Sequence, residues 1–410
     1  MANLKVKFGG LELKNPIVAV AGPLGRTFEA LKRSIEAGCG AVTLKSNNAT
    51  PKEAIEPRPS AHILARPAHV FLNKYRLKNM MINWEGVPVE FTAEEQRKMI
   101  ERIQPIAREH GCRVIANMHP DPMYLQDMDV FRQDMKTILS AGPDMIEFCI
   151  CPYHVPYEVT YPDNQDYDRI DEMLEVLYGA VMDVADVPVI AKHNGPIFNR
   201  SAKTLAGLGV KSLHVTEGPQ FYGTVVDIDS MTPLAPGPAV ITYGAHRRPM
   251  INLQCARTRA LGDDYDVMSS SGVWSANDAI ERMMCGARLV GLHTAIQYHG
   301  HKLFSKIIKR MGAWLDEKGL ELEEIVGRAV PQIVSQEAHD EFMRERDRSA
   351  EQIRVEIDLD DCNGCGTCAA CIHGAISMQD EEPQLHRELC MGCGVCESIC
   401  PTDAITMQVQ

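Results

Sequence analysis

Cysteine is the residue type that points most directly to chemistry in this sequence, and it is concentrated near the C-terminal end. The chain has 410 residues and 14 cysteines, of which eight fall within the last 49 residues. In a cytosolic protein, a tail this dense in cysteine indicates metal binding rather than disulfides. The first run is Cys362, Cys365, Cys368 and Cys371, and the second run is Cys390, Cys393, Cys396 and Cys400.

The second run has the C-x2-C-x2-C-x3-C-P spacing of bacterial ferredoxins, in which three thiolates bind one [4Fe–4S] cluster and the fourth binds another. We therefore predict two [4Fe–4S] clusters, with Cys400 joining the first three cysteines of the first run and Cys371 joining those of the second. The first run departs from the pattern, since its last gap has two residues and no proline follows it. Zinc held by paired C-x2-C motifs is the alternative.

Net charge and hydropathy exclude several classes of protein. A net charge of −13 at pH 7 opposes nucleic-acid binding, because phosphates are neutralised by a basic surface. Apolar residues make up 45% of the chain and charged residues 24%, as in ordinary globular proteins. No apolar run reaches the ~18 residues of a membrane helix, and the first residues lack a signal-peptide core. We therefore expect a cytoplasmic protein without membrane contact.

The cysteine-rich tail follows a long region in which short apolar runs alternate with stretches of helical periodicity. Eight such units predict an α/β fold of the (β/α)8 TIM-barrel type. Clear helical stretches are 27–38, 131–142, 168–185 and 275–286, and capping-box patterns begin at Thr92 and Ser275. The predicted strands are 17–22, 41–46, 113–118, 145–150, 187–192, 212–217, 266–272 and 289–294.

Three parts of the chain follow from this pattern. Residues 1–310 form the barrel, with a hairpin over 4–15 that closes its bottom; residues 311–350 form a helical connector; and residues 351–410 form a small C-terminal dicluster ferredoxin-like domain. Three segments exceed ordinary loop length and follow strand ends, which is where barrel enzymes build their active sites. They are 47–91, 151–167 and 218–238.

A barrel joined to one-electron clusters needs a group that converts single electrons into pairs. The sequence has no G-x-G-x-x-G and no Walker loop, so it lacks a dinucleotide-binding domain of its own. FMN suits the phosphate site that barrels build after strands seven and eight. Small residues and hydroxyls stand there, in the loops Ser271-Gly272 and His293-Thr294.

Several short motifs resemble the barrel of the dihydroorotate and dihydropyrimidine dehydrogenase family. They are Lys14-Asn15-Pro16, Ala21-Gly22, Val42-Thr-Leu-Lys45-Ser46, Asp144-Met-Ile-Glu-Phe, Ile190-Ala-Lys192 and the two phosphate loops. The C-terminal ferredoxin narrows the resemblance to the FMN and iron–sulfur subunits of bacterial NAD-dependent dihydropyrimidine dehydrogenases. The resemblance implies that Lys45 and Lys192 lie beside the flavin ring, where a cation stabilises negative charge on the reduced flavin. It implies an FMN site of Ala21, Gly22, Lys45, Asn117, Lys192, Thr216, Ser271, Gly272, His293 and Thr294.

The same resemblance implies a cysteine as the acid or base opposite flavin N5. Cys151-Pro152 matches the family's Cys-Pro pair, with one residue deleted before it. A thiol suits proton transfer when its pKa is held near the working pH. Cys149 lies on the same side of the strand and is the alternative.

The residues expected to bind substrate depart from the family. Asn79 looks retained, but Cys149 and Glu217 stand where the family has asparagines, and a carboxylate only accepts hydrogen bonds. Cationic side chains are expected on the same face, so an anionic substrate fits better than a neutral pyrimidine. They are His154, His193, His214, His246 and the pair Arg247-Arg248.

These patterns predict an oxidoreductase that interconverts C–C and C=C bonds by hydride transfer at flavin N5, with a cysteine as acid or base. The alternatives are a true uracil or thymine dehydrogenase subunit and a flavin and iron–sulfur electron-transfer subunit without its own substrate. We expect a separate FAD- and NAD(P)H-binding subunit or a ferredoxin as the electron donor. By resemblance the chain forms a homo- or hetero-oligomer.

Overall fold

Eight of the apolar runs form the parallel strands of a closed barrel in the computed structural model of the chain. The structure describes residues 2–47, 69–71, 80–84, 91–118, 127–149, 167–216, 225–233, 240–346 and 353–409. Strands that are consecutive along the chain are neighbours in the barrel, apart from the small strands that lie outside it, as in a (β/α)8 fold. The barrel strands are β3 (Ile17–Ala19), β4 (Ala41–Thr43), β7 (Arg113–Met118), β8 (Met145–Cys149), β9 (Val189–Asn194), β10 (Ser212–Thr216), β14 (Asp266–Ser269) and β15 (Leu289–Leu292).

The strands form where the sequence is apolar on both faces, because barrel strands are covered by helices outside and by packed side chains inside. All three residues of β3 and all three of β4 are buried. Each of the eight predicted strands therefore coincides with an observed one, which confirms the predicted fold class.

Helices cover the outside of the barrel and begin at the predicted caps. Thr92 and Ser275 each form a capping box, with Glu95 and Asp278 as the returning acids. These helices are α1 (Phe28–Glu36), α2 (Ala93–Glu109), α3 (Met128–Leu139), α4 (Tyr167–Met182), α5 (Gly195–Gly207), α6 (Arg248–Arg259), α7 (Ala276–Met284), α8 (Thr294–His299) and α9 (Lys302–Lys318).

The predicted N-terminal hairpin is present as β1 (Val6–Phe8) and β2 (Leu11–Leu13), joined at Gly9 and Gly10. Both glycines have positive φ, which residues with a Cβ rarely adopt. Gly9 N donates to Asp266 Oδ2 (2.8 Å) at the first residue of β14. The hairpin therefore lies at the N-terminal end of the barrel, opposite the end expected to carry the site.

Two of the three long segments contain strands of their own. β5 (His69–Phe71) and β6 (Met80–Trp84) form an antiparallel sheet with β13 (Val240–Gly244), and β11 (Val226–Asp227) pairs with β12 (Thr232–Pro233). The register of β6 against β13 sets Met80 opposite Gly244. Segments far apart in sequence thus meet in a sheet that is separate from the barrel.

The chain divides into two compact units, Met1–Val334 and Ser335–Gln410. Helix α9 continues through residue 310, where we expected the barrel domain to end. Two short helices, α10 (Leu322–Ile325) and α11 (Val330–Val334), complete the first unit. The second unit begins with α12 (Gln336–Arg346).

The rest of the second unit contains the two cysteine runs and four short strands. Strands β16 (Ile353–Ile357) and β19 (Ile405–Val409) pair with each other, as do β17 (Ile376–Gln379) and β18 (Glu382–Leu385). A short helix, α13 (Val395–Ile399), lies in the second cysteine run, and a 3-10 turn lies in the first. Its small core includes Val355, Cys368, Ile376 and Ile405.

Candidate active site

The C-terminal ends of the barrel strands gather the polar residues expected to hold a cofactor. Asn117 and Thr216 are buried in β7 and β10, Lys192 is 8% exposed in β9, and Lys45 follows β4. Cys149 ends β8, but its side chain lies outside the described residues. Because the C-terminal ends of parallel strands meet at one end of a barrel, these positions share the face where barrel enzymes bind substrates.

A buried carboxylate, Glu147 in β8, organises this face. Its Oε1 accepts from Asn117 Nδ2 (2.5 Å) and lies 3.5 Å from Lys192 Nζ. Its Oε2 lies 2.5 Å from His214 Nδ1. Asn117 Oδ1 in turn accepts from Ser46 Oγ (2.5 Å). Five barrel strands or strand ends are thus joined by one continuous polar network.

The Glu147 carboxylate stays ionised despite its burial. Burial alone raises its pKa, but the positive charges of Lys192 and His214 outweigh this effect and lower the pKa to about 2. A fully buried charge is stable only when it is paired and hydrogen-bonded in this way. Sequence reasoning missed Glu147 as a site residue, although an acid within the apolar strand Met145–Cys149 was an available signal.

Lys45 is positioned through its backbone. Its N–H donates to Gly25 O (2.9 Å), and its carbonyl accepts from Gln96 Nε2 (3.1 Å). A Cβ on Gly25 would lie 2.3 Å from Thr43 O, so only glycine allows the loop after β3 to approach β4 this closely. Gln96 Nε2 also donates to Asn117 O (2.9 Å) and so couples the ends of β4 and β7.

The loop after β14 forms an anion cradle. Ser271 and Gly272 both have positive φ. Arg282 of α7 is fully buried and donates to Ser269 Oγ, to Ser270 O and to Ser271 O, each at 2.9 Å. Because C=O and N–H point in opposite directions in a trans peptide, this turns the N–H groups of Ser271 and Gly272 away from Arg282. Neither N–H has an acceptor among the described residues.

The second phosphate loop packs against the loop after β3. Gly22 has a φ of 145°, and a Cβ on it would lie 2.4 Å from His293 Nε2. His293 precedes α8, which Thr294 begins. The expected cofactor residues Ala21, Gly22, His293 and Thr294 are therefore brought together by two neighbouring strands, β3 and β15.

These residues fit FMN. The N–H groups of Ser271 and Gly272, which have no acceptor among the described residues, suit a phosphate. The missing side chain of Gly22 makes room for the His293 ring. The ammonium groups of Lys45 and Lys192 suit the electron-rich edge of a reduced flavin. Arg282 was not expected from the sequence, because nothing in its spacing shows that it contacts a loop eleven residues earlier.

The face expected to bind substrate is only partly described. Asn79, Cys151, His154 and Glu217 lie outside the described residues. Arg247 is fully buried, with its guanidinium 4.4 Å above the ring of Tyr243.

Two histidines that we expected as cations on this face do not have that role in the structure. Burial and the charge of Arg247 lower the pKa of His246 to about 4, so His246 is neutral at pH 7 rather than the cation we expected. His193 bonds through Nε2 to Tyr178 OH (3.0 Å) and packs against that ring of α4. It therefore faces the helix layer rather than the barrel interior.

The two cysteine runs of the C-terminal unit have matching backbones. Each contains two glycines with positive φ, Gly364 and Gly366 in the first run and Gly392 and Gly394 in the second. The two runs therefore share the same pair of backbone turns.

Charge interactions indicate which thiols lie together. Burial raises the pKa of the Cys368 thiol, and the charges of Cys362, Cys365 and Cys400 raise it further. Burial and the charges of Cys390 and Cys393 likewise raise the pKa of Cys396. The first group contains the thiols that the spacing assigns to one cluster, and the two crossed ligand sets stay a prediction. In the described part of the chain, no three His, Cys, Asp or Glu side chains stand in the arrangement of a single-ion site.

The family profile for dihydroorotate dehydrogenase matches residues 3–315, and a 4Fe–4S binding domain matches residues 383–406. The chain belongs to the dihydroorotate dehydrogenase family, and it is a flavoprotein oxidoreductase with an iron–sulfur domain.

Three relatives show how far the similarity extends. The catalytic subunit of dihydroorotate dehydrogenase B (NAD+) from Methanocaldococcus jannaschii is 28% identical over 80% of this chain and 98% of its own. The corresponding subunit from Methanocella arvoryzae is 26% identical over 78% of this chain and 96% of its own. The NAD-dependent dihydropyrimidine dehydrogenase subunit PreA of Escherichia coli K12 is 23% identical over 99% of this chain and 95% of its own.

The similarity to PreA therefore includes the iron–sulfur region, whereas the similarity to the other two covers about four fifths of the chain. Among the described helices, none is both long enough and apolar enough to span a membrane.

Proposed function

We propose that this protein is an FMN- and [4Fe–4S]-dependent oxidoreductase that interconverts a C–C and a C=C bond next to an electron-withdrawing group. The observation that carries the proposal is the convergence of Lys192, Glu147 and the Ser271-Gly272 cradle at the catalytic end of a barrel whose chain also carries two cluster motifs. Bound FMN would supply hydride exchange at N5 and single-electron exchange with the clusters.

The residues of this chain have separable roles in the proposal. Ser271, Gly272 and Thr294 hold the phosphate, while Gly22 and His293 line its approach. Lys45 and Lys192 stabilise negative charge on the ring, and Asn117 and Thr216 hold the polar network beneath it. Cys151 exchanges a proton at the carbon next to the one that exchanges hydride, with Cys149 as the alternative.

Cofactor content is the first test. The full chain is purified anaerobically, and its FMN, iron and sulfide are measured. The proposal expects one FMN and about eight irons per chain, as two cubane clusters require. Clusters without flavin would reject it, while four irons would leave the flavin role intact and reject the second cluster.

Substrate identity is the second test. We propose an anionic unsaturated compound as the substrate, because Cys149 and Glu217 replace amides that would pair with a neutral pyrimidine. A pyrimidine that loses these polar contacts should be a much poorer substrate. The reduced flavoprotein is mixed with uracil, orotate and a panel of enoate-type acids, and flavin reoxidation is followed by absorbance. Fast reoxidation by uracil alone would show that the chain is a uracil dehydrogenase subunit.

The acid is assigned with the substrate that reoxidises fastest. A Cys151→Ala variant should bind FMN as the wild type does and lose at least 100-fold in the reoxidation rate, as removal of a general acid does. Cys149→Ala is the matched control on the same segment and should retain the rate. The reverse result would assign the proton to Cys149.

The second candidate function is a flavin and iron–sulfur relay without its own substrate. The loss of the two amides favours it, whereas the Cys151-Pro152 pair and the two lysines favour the enzyme. A relay would exchange electrons with a donor protein, yet no small molecule in the panel would reoxidise its flavin.

We propose that electrons come from a separate FAD- and NAD(P)H-binding subunit or from a ferredoxin, because the sequence contains no dinucleotide fingerprint. Residues 351–410 carry eleven acidic and two basic side chains, so the donor surface should be basic. Flavin reduction by that donor should slow as salt is raised. Reduction of the flavin by NADH with the pure chain alone would contradict this proposal.

We also propose that the protein is cytosolic, because the thiols of the cysteine runs stay reduced in that compartment.

A further inference from the structure

A buried chain of three hydrogen-bonded side chains runs from β8 to the phosphate loop. His214 Nδ1 lies 2.5 Å from Glu147 Oε2, and His214 Nε2 lies 2.8 Å from Ser270 Oγ. Ser270 Oγ donates to Thr216 Oγ1 at 3.0 Å. Glu147 and His214 are fully buried, and Ser270 is nearly so. Both ring nitrogens of His214 therefore have fixed partners away from water.

The protonation of His214 follows from counting donors. An ionised carboxylate only accepts, so the proton between Glu147 and His214 belongs to Nδ1. Ser270 Oγ gives its single proton to Thr216, so it accepts from His214, and Nε2 also carries a proton. With protons on both nitrogens, His214 is an imidazolium cation inside the barrel.

The charge count beneath the flavin site follows from this protonation. Within the described residues, the Glu147 carboxylate contacts two cations, Lys192 on Oε1 and His214 on Oε2. A neutral histidine would leave Glu147 and Lys192 as a balanced pair with no net charge. An imidazolium leaves the group with one net positive charge in a buried site, where charge interactions are stronger than in water.

We propose that His214 is a positioning residue that engages the Glu147 carboxylate as an imidazolium and so leaves the charge of Lys192 effective toward the flavin. This inference rests on the proposed function, since it concerns bound FMN. The sequence places Lys192 at the site by resemblance, but it gives no sign that a histidine 22 residues later controls its charge.

The same three residue types, in the order Glu–His–Ser, form the nucleophilic triad of many hydrolases. In such a triad the serine gives its proton to the histidine. Here Ser270 gives its proton to Thr216 and is only 3% exposed, so it can neither be activated nor reach a substrate. The arrangement is therefore electrostatic rather than nucleophilic.

The main test is the flavin midpoint potential of His214→Gln in the FMN-loaded full chain. Glutamine can hydrogen-bond but carries no charge, so the reduced flavin should be less stable. We expect the ratio of reduced to oxidised flavin at a fixed ambient potential to fall about tenfold, which is about 30 mV for a two-electron couple. His193→Gln is the matched control, since His193 is also buried but faces Tyr178, and its potential should equal that of the wild type.

A double-mutant cycle tests whether His214 acts through Lys192. In a Lys192→Met background, His214→Gln should change the potential much less than it does alone. Equal effects in both backgrounds would overturn the positioning role. Glu147→Gln removes the shared carboxylate and should raise the flavin midpoint potential, whereas His214→Gln should lower it. The Glu147 variant therefore keeps the inference testable if the histidine variant does not fold.

The protonation itself is tested without flavin. The experiment uses apo protein labelled with 15N-histidine. The His214 resonances are assigned by their loss in His214→Gln or, in the wild type, by their proximity to Ser270. They should show hydrogen on both ring nitrogens at pH 7. A single protonated nitrogen would overturn the inference. A chain that binds no FMN would instead overturn the proposed function, whereas unchanged potentials in FMN-loaded variants would overturn only the role of His214.

Discussion

The barrel holds Glu147, His214 and Arg282 fully buried and hydrogen-bonded to protein groups, while the C-terminal unit leaves Cys365 and Cys393 exposed with little core around them. In the barrel, these buried charged groups have protein partners before any cofactor is considered. In the C-terminal unit, the thiols have few protein partners and the core consists of a few small side chains. The first site is organised by the chain, whereas we expect the iron–sulfur unit to become organised only when it binds iron and sulfide.

Removing a cluster ligand should therefore have the largest effect, and only in one unit. Cys396→Ala should lose the cluster of the second run and unfold residues 353–409, because a core this small does not offset the entropy of ordering the chain. Limited proteolysis should cleave the C-terminal unit while the barrel stays intact and keeps its FMN.

The matched control is Cys285→Ala, which removes a buried barrel thiol that belongs to neither run. This variant should keep both its iron content and its protease resistance. A C-terminal unit that stays folded without iron would break the comparison between the two regions.

Arg282→Met should have the next largest effect. The substitution leaves the carbonyls of Ser270 and Ser271 and the side chain of Asn252 without their buried donor. At about 1–3 kcal/mol for each unsatisfied group, we expect a loss of about 4 kcal/mol in the free energy of unfolding and weak FMN retention. Arg288→Met is the control. Arg288 lies just before the N-terminal end of β15, and within the described residues the substitution removes ion pairs to Asp266 and Glu323, so the variant should keep FMN.

The barrel and the iron–sulfur domain could be predicted from sequence because their signals are local. Apolar runs predicted the strands, Thr92 and Ser275 predicted helix starts, and cysteine spacing predicted iron–sulfur binding. The polar network could not be predicted, because its contacts join residues far apart in the chain. Glu147 meets a histidine 67 residues later, and Ser46 meets an asparagine 71 residues later.

Long-range pairing also hid the sheet of β5, β6 and β13. Residues 80–84 lie in a segment that the sequence indicated only as a long insertion, and residues 240–244 follow another such segment, 218–238. The choice between Cys149 and Cys151 stays a prediction, since it depends on one deleted residue whose consequence local patterns do not reveal.

The stability of the barrel should fall in acid, because the buried Glu147 carboxylate stabilises the folded state only while it is ionised. The pKa of this carboxyl in the folded protein, about 2, lies below the ordinary value of 4.5. The stabilisation is therefore complete above pH 4.5 and is lost as the pH falls toward 2, by about 3 kcal/mol if the shift is taken whole. The three tryptophans, Trp84, Trp274 and Trp314, all lie in the first unit, so urea unfolding followed by their fluorescence reports on that unit and not on the C-terminal one.

Glu147→Gln should remove this acid sensitivity and unfold with a flatter dependence on pH between 4.5 and 2. Glu12→Gln is the control, because Glu12 lies on the exposed hairpin at the opposite end of the barrel. An acid dependence that survives unchanged in Glu147→Gln would show that other carboxylates carry it.

Gly22→Ala should have the smallest effect and should act on the approach to the cofactor rather than on the whole barrel. The backbone at Gly22 has φ 145°, and the new methyl group would lie 2.4 Å from His293 Nε2. Moving that ring and straining the backbone should cost about 2 kcal/mol and weaken FMN binding about tenfold. Gly10→Ala, which has positive φ but no atom within 4 Å of its Cβ, is the matched control for backbone strain. Its FMN affinity should be unchanged, because Gly10 lies in the hairpin at the other end of the barrel. Equal FMN affinity in the two variants, measured by fluorescence titration of apoprotein, would show that the contact between Gly22 and His293 does not shape the flavin site.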